Sequence, residues 1–218
     1  MEAPTRVHDG AERGYAASLA TDSLALTSVR DANVDLLGLL AAEADGARLA
    51  AFGVEPHIVT RVRALDPAAA LAVAACPYAL FDIRFGDAAF WRDFALRRDV
   101  AAASASRTLA GFARTAVFLA WHLAQSDDVA AALVLGMASD VQRLWRGFPV
   151  SALERTAAAA APRLTVRWGR HPTVWPKLLD SSGPGARERA EAVRLLGLQL
   201  LAADGAWPPA AAGGDRAA

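Results

Sequence analysis

Residues 34–86 have the sequence VDLLGLLAAEADGARLAAFGVEPHIVTRVRALDPAAALAVAACPYALFDIRFG, and residues 117–169 have the sequence VFLAWHLAQSDDVAAALVLGMASDVQRLWRGFPVSALERTAAAAAPRLTVRWG. The second stretch aligns with the first, without a gap, 83 positions further along the chain. Outside alanine, the identical pairs are Val34 with Val117, Leu36 with Leu119, Leu40 with Leu123, Asp45 with Asp128, Gly53 with Gly136, Arg63 with Arg146, Arg84 with Arg167 and Gly86 with Gly169. Both stretches share one order of features: an apolar run, a glycine, a second apolar run, an alanine-rich run and a short apolar-Arg-aromatic-Gly segment.

An internal repeat determines the architecture of a protein before any single element does. Alanine has the highest intrinsic helix propensity, and it is abundant throughout this chain. The sequence therefore predicts an all-α fold built from two copies of one helical unit, each with one short extended segment, related by a pseudo-twofold axis. The alternative is a chance similarity within an alanine-rich chain.

The composition is that of a packed protein without net charge. Hydrophobic residues make up 54% of the 218 residues, and Lys+Arg and Asp+Glu both number 23, so the formal net charge is zero. A neutral chain argues against a protein that coats nucleic acid non-specifically. The single cysteine, Cys76, excludes an intrachain disulfide and a cysteine-based zinc site. No run approaches the length of about 18 apolar residues that spans a membrane, so we expect a soluble, cytoplasmic protein.

Helix start and stop signals divide the chain into segments. We predict a polar leader and a weak helix over residues 1–29, the first unit over 30–112, the second over 113–203 and a disordered tail over 204–218. Asp31 or Asn33 is the expected N-cap of the first unit. Residues 80–85 and 164–168 alternate with a period near two, which predicts two short extended segments that pair with each other.

Two pairs of arginines are candidates for contact with nucleic acid. Arg61 and Arg63 lie on a predicted helix that follows a glycine turn, and Arg143 and Arg146 lie in the matching part of the second stretch. In a helix-turn-helix arrangement such residues approach the phosphates of DNA. The alternative is an ordinary solvated helix face.

Arg84 and Arg167 occupy the same place in the two stretches, inside otherwise apolar segments. An arginine in such a position needs a carboxylate or carbonyl partner. A structural ion pair is therefore the leading interpretation, and contact with a protein partner or with nucleic acid is the alternative.

Motifs of catalysis are missing from the sequence. It contains no phosphate-binding glycine loop, nucleophile elbow or metalloprotease motif, and its four histidines lack metal-ligand spacing. His122, within an apolar run, is predicted to be a core residue. We predict no enzymatic activity, no cofactor, no metal and no small-molecule substrate.

The repeated unit resembles the D subunit of the bacterial flagellar master transcriptional activator (FlhD). The landmarks in the first unit are Arg-Asp-Ala-Asn-Val at 30–34, Phe-Gly-Val at 52–54, Leu-Asp-Pro at 65–67 and Phe-Asp-Ile-Arg-Phe-Gly-Asp at 81–87. Those in the second unit are Leu-Ala-Gln at 123–125, Leu-Gly-Met at 135–137 and Val-Arg-Trp at 166–168, and residues 187–201 resemble the last helix of the family. In two departures, the helix before Gly53 is about a turn shorter, and Ala50-Ala51 replaces the family's aromatic-Arg pair.

The resemblance implies an all-helical protein in which one chain carries both halves of the family's intertwined homodimer. The family's subunit acts on DNA with a zinc-binding partner subunit, so the implied function is a subunit of a bacterial transcriptional regulator that acts on double-stranded DNA through another protein. The alternative is a non-catalytic adaptor of a secretion or motility apparatus. Both functions require a protein partner and neither involves a membrane.

Overall fold

The structure, a computed structural model, describes residues 9–96, 105–181 and 187–203; of residues 9–23 and 187 it describes the backbone alone. Within these ranges the α-helices are α1 (Asp9–Ala42), α2 (Gly46–Ala51), α3 (Pro56–Arg63), α4 (Pro67–Ala74), α5 (Ala88–Leu96), α6 (Arg107–Ser126), α7 (Asp128–Leu135), α8 (Ser139–Arg146), α9 (Leu153–Ala160), α10 (Val174–Asp180) and α11 (Arg187–Ala203). Two 3-10 turns, Val150–Ala152 and Ala161–Arg163, flank α9. The strands β1 (Phe81–Asp82) and β2 (Thr165–Val166) have two residues each, so the all-α prediction is confirmed.

Polar residues just before several helices determine where those helices begin. The Asp66 carboxylate accepts a hydrogen bond from the backbone N–H of Ala69, at the start of α4, and Pro67 occupies the first turn. Asp127 accepts from the backbone N–H groups of Val129 and Ala130 at the start of α7. These side chains satisfy N–H groups that have no partner within the helix.

The N-cap prediction for Asp31 and Asn33 is wrong, because both residues lie inside the long helix α1. The Asn33 side chain is fully buried. Its amide nitrogen donates to the carbonyls of Ala74 (3.2 Å) and Tyr78 (3.0 Å), and its oxygen accepts from the N–H of Leu80 (2.8 Å). Asn33 therefore satisfies backbone groups of a distant loop, which a buried amide can do from within a helix.

The helices cross two of the predicted segment boundaries. Residues 29 and 30 are both within α1, and residues 112 and 113 are both within α6. α6 is continuous through Gly111. The leader at 1–8, the loop at 182–186 and the tail from 204 lie outside the described residues.

The two predicted extended segments pair, as expected, although they are shorter than predicted. β1 and β2 are antiparallel, with Phe81 opposite Val166 and Asp82 opposite Thr165. Two residues beyond each strand the backbone has a positive φ, at Arg84 (65°) after β1 and at Trp168 (53°) after β2. This left-handed conformation turns the backbone away from the extended direction.

Aromatic side chains fill the core between α5 and α8. Trp91 of α5 and Trp145 of α8 are fully buried, with ring centroids 4.7 Å apart and an interplanar angle of 73°. Phe85 contacts Trp145 at 6.3 Å, and Phe148 contacts both tryptophans. Edge-to-face aromatic pairs contribute beyond the area they bury, so this cluster fixes how the two helices pack.

Several contacts occur twice, at equivalent positions of the two stretches. Arg63 Nε donates to the carbonyl of Ala41 (3.2 Å), and Arg146 Nε donates to the carbonyl of Ala124 (2.7 Å), each partner lying 83 positions further along. Gly53 and Gly136, which follow α2 and α7, both have a positive φ, of 71° and 62°. Beyond the stretches, the indole nitrogens of Trp91 and Trp175, which lie 84 positions apart, donate to the carbonyls of Arg84 and Arg167, both at 2.8 Å.

Equivalent residues also make similar contacts across the two stretches. The N–H of Glu55, before α3, donates to the carbonyl of Gly169 (3.2 Å). The N–H of its equivalent Ala138, before α8, donates to the carbonyl of Phe85 (3.1 Å), one residue before Gly86, the equivalent of Gly169. Likewise α3 packs against α10, and α8 packs against α5. In a twofold interface, a contact from one side is matched by the same contact from the other.

Candidate interaction surfaces

The arginines of α3 bond to other parts of the chain. Arg61 Nη2 lies 2.5 Å from a carboxylate oxygen of Asp180, on α10. Arg63 donates to the carbonyls of Ala41 and Glu43, at and just beyond the end of α1. A cation at a helix C-terminus stabilises carbonyls that have no partner within the helix. Arg63 therefore links the end of α1 to α3.

The arginines of α8 are also bonded within the chain. Arg146 caps the end of α6 through Ala124 and forms an ion pair with Asp128. Arg143 forms an ion pair with Asp140, three residues earlier on the same helix, and its side chain is 72% exposed. Of the four arginines predicted to contact DNA, Arg143 is thus the one whose ion pair lies within a single turn of its own helix.

Arg84 and Arg167, at matched positions of the sequence, lie in different environments. Arg84 Nη1 is 2.7 Å from Asp87, and both side chains are more than a third exposed. The pKa of Asp87 is lowered, first by a hydrogen bond from the N–H of Phe90 and then by Arg84. Arg167 is 8% exposed, donates to the carbonyl of Leu135 (2.6 Å) and lies 3.5 Å from Asp82.

A largely apolar concave surface lies between α1, α7 and α11. We call it the apolar groove; its volume is about 590 Å³, and it is lined by Ala25, Leu26, Pro77, Asp127, Val129, Ala130, Leu133, Val134 and Leu198. Leu26 and Pro77 also line a second depression, which includes Thr27 and Arg30, so the two are continuous. Val129 is 60% exposed and Leu26 is 44% exposed. Contiguous exposed apolar surface of this kind is typical of protein interaction sites.

Cys76 and Tyr78, in the loop after α4, are buried and have raised pKa values. Burial raises the pKa of the Cys76 thiol to about 11 and also raises the pKa of Tyr78. The Tyr78 hydroxyl donates to the carbonyl of Val193 (3.2 Å), and its ring lies against Gly197, where a Cβ would be 2.2 Å from the ring. Tyr78 therefore holds α11 on the protein, and the thiol of Cys76 is a buried packing group.

The histidines in the described part of the chain, His57, His122 and His171, form no shared site. His122 is exposed on α6, which corrects the prediction of a core residue, since the apolar face of that helix points the other way. His171 Nδ1 accepts from the N–H groups of Thr173 (3.2 Å) and Val174 (3.4 Å), at the start of α10. Among the described residues, no cluster of three or more His, Cys, Asp or Glu side chains could hold a metal ion.

Sequence reasoning did not identify the apolar groove. Its walls come from three helices that are far apart in the chain. The useful signal was Val129, an apolar residue that follows the capping residue Asp127 and the first helical residue Asp128, where an exposed first turn is expected.

In the ranges 9–96, 105–181 and 187–203, no helix combines the length and apolar character required to cross a bilayer. Comparison of the chain with models of protein families, with curated proteins and with solved structures finds no significant match.

Proposed function

We propose that this protein is a non-catalytic interaction protein that binds the helix of a protein partner in the apolar groove. The exposed apolar wall formed by Leu26 and Val129 is the observation that carries the proposal. The groove is elongated, because the two depressions join at Leu26 and Pro77. An elongated groove between helices fits the apolar face of an amphipathic helix.

The bonding of the arginines favours this function over direct contact with DNA. Arg61, Arg63 and Arg146 each bond to a carboxylate or to helix-end carbonyls. Contact with DNA phosphates would have to replace those bonds. A DNA-binding surface gains affinity when its cations neutralise phosphates and so release the counterions of the DNA. The neutral net charge also provides little long-range attraction to DNA.

We further propose that the two stretches are copies of one unit, arranged as a dimer within one chain and related to the FlhD-like family. The hydrogen bonds of the equivalent residues Glu55 and Ala138, whose acceptors differ by one position in register, support this arrangement. So does the pairing of Asp82 with Thr165, which lies 83 positions later, because a residue paired with its own equivalent belongs on a twofold axis. In such an arrangement the protein offers a rigid, dimer-like scaffold to its partner.

A subunit of a transcriptional regulator is the second candidate function. The observation that favours it is Arg143, which is largely exposed. It lines a depression together with Asp128, Val129, Ala132, Ser139, Gln142 and Arg146. In this case the partner would supply most of the DNA affinity, and Arg143 would add one phosphate contact.

Two valines of equal exposure provide a matched test of the proposal. Val129 lies on the apolar groove and is 60% exposed, whereas Val150 lies away from it and is 59% exposed. We expect Val129→Glu to abolish capture of the partner from a lysate of the native host, because a charge in a desolvated groove is costly. Val150→Glu should leave capture unchanged. Equal capture by both variants would overturn the groove as the binding site.

DNA binding by the captured complex separates the two candidate functions. For a regulator, the complex binds duplex DNA with a salt-dependent affinity, and Arg143→Ala lowers the slope of that dependence by about one counterion. For an adaptor, we expect no salt-dependent affinity for any duplex. The single Arg143→Ala substitution is preferable to replacing all four arginines, since Arg63 and Arg146 cap helices.

A further inference from the structure

We infer that the helix bound in the apolar groove carries carboxylates at the end that reaches the second depression, where Arg30 and Arg194 bond them. This inference rests on the proposed function, because it names the chemistry of the partner that the groove takes. Among the described residues that line the second depression, Arg30 is the charged one, beside Cys76 and Pro77. Its side chain is exposed, and it forms no ion pair with another described residue.

Arg194, on α11, adds a second positive charge at the same end. It lies four residues, about one turn, before Leu198, and therefore on the same face of the helix as that groove residue. Burial raises the pKa of the Cys76 thiol, and the charge of Arg194 acts in the opposite direction, so this guanidinium lies near the second depression. Arg194 is half-buried and, like Arg30, has no ion pair in the part of the chain that the structure describes.

The carbonyls at the end of α4, which faces the second depression, already have partners. Those of Ala74 and Tyr78 accept from the side chain of Asn33, and that of Val73 accepts from the thiol of Cys76. The two guanidinium groups are therefore available to a ligand. A carboxylate is the anionic group that a protein helix supplies, and it forms charge-assisted hydrogen bonds with arginine.

The opposite end of the apolar groove has the opposite charge. The N–H of Ala79 donates to the carbonyl of Val134 (2.7 Å), so the last turn of α7 lies beside the loop after α4. Asp127, which precedes α7 and also lines the groove, is seven residues or about 10 Å further away. A helix that is acidic at one end alone therefore fits in one direction. Charge complementarity of this kind selects both the partner and its orientation.

Defined peptides test the inference without the native partner. The probe is a peptide of Ala, Leu and Gln with one leucine face and about 18 residues, long enough to be helical. Pairs of Glu, Lys or Gln are placed in its first turn or in its last turn, which covers both directions of binding. Two exposed ion pairs contribute about threefold each, so the better Glu peptide should bind about tenfold more tightly than its Gln counterpart. Fluorescence anisotropy measures the affinities, and added salt should reduce the difference.

Charge reversal on the protein is the specific test. Arg30→Glu combined with Arg194→Glu should invert the order, so that the Lys peptide binds more tightly than the Glu peptide. A misfolded variant cannot produce this result. Arg107→Glu makes the same substitution at an exposed arginine that lines neither depression, and it should leave the order unchanged.

The remaining outcomes separate this inference from the proposed function. If peptides bind and lose affinity in Val129→Glu, but Glu and Lys peptides bind equally, the groove stands and its charged end is rejected. Binding that survives Val129→Glu, or no binding of any peptide, would overturn both. Self-association of the wild type that Val129→Glu abolishes would place a second copy in the groove and reject the acidic helix.

Discussion

The two matching stretches, residues 34–86 and 117–169, place equivalent residues in different surroundings. A Cβ on Gly86 would meet nothing within 4 Å, whereas one on Gly169 would lie 2.5 Å from the backbone oxygen of Gly53. Arg84 forms an exposed local ion pair, and Arg167 is buried. In a homodimer, any substitution appears on both sides of the axis. In a single chain, a residue of one stretch can be substituted without the equivalent residue of the other. In this protein, Gly169 and Arg167 of the second stretch are more tightly packed than Gly86 and Arg84 of the first.

The arginine pair should show the largest difference. We expect Arg167→Ala to lower the free energy of unfolding by about 3–5 kcal/mol, because it removes one partner of buried polar contacts with Leu135 and Asp82. Arg84→Ala should cost about 1 kcal/mol or less, as for other exposed ion pairs. Urea denaturation measures both values. Equal losses would show that the two positions have the same environment.

The glycine pair should show the next largest difference. Gly169→Ala should cost about 3 kcal/mol, the upper end of the range for overpacking, since the clash is with backbone that cannot rotate away. Gly86→Ala should change the free energy of unfolding by about 0.5 kcal/mol or less. The same denaturation experiment applies, and a stable Gly169→Ala variant would mean that the stretches are further apart than described.

A third difference concerns alkaline pH, since Cys76 in the first stretch aligns with Ala159 in the second. The raised pKa of Cys76 means that the folded state retains a proton that the unfolded state loses. Its contribution to stability is complete below pH 9 and is lost as the pH rises to about 11. We expect a loss of about 2 kcal/mol over this range, measured as the difference in unfolding free energy between the wild type and Cys76→Ala. Parallel pH profiles for the two proteins would contradict the assignment.

The sequence was sufficient to predict the helical class and the pairing of the two extended segments. These features depend on local propensity, on caps and on the repeated order of residues. The sequence was not sufficient to predict that Asp31 and Asn33 lie inside a helix. Asn33 does not cap a helix, because its side chain is buried and bonds to the loop after α4. Rules based on neighbouring residues cannot identify hydrogen-bond partners that are distant in the sequence.

The candidate surfaces were harder to predict than the fold. Arg63 and Arg146 have the spacing of exposed helix residues, and their role in capping α1 and α6 requires the position of a preceding helix end. The apolar groove requires the relative positions of α1, α7 and α11. Composition identified apolar residues, but only packing determines which of them stay exposed.

The most direct test of the proposed dimer within one chain is hydrogen exchange at the amides of Glu55 and Ala138. Each donates across the boundary between the stretches, to Gly169 and to Phe85 respectively. If the contacts are reciprocal, both amides open only when the stretches separate, so their opening free energies should agree within about 1 kcal/mol and approach the global value. Exchange of either amide at the rate of an unbonded amide in the first turn of a helix would contradict the arrangement.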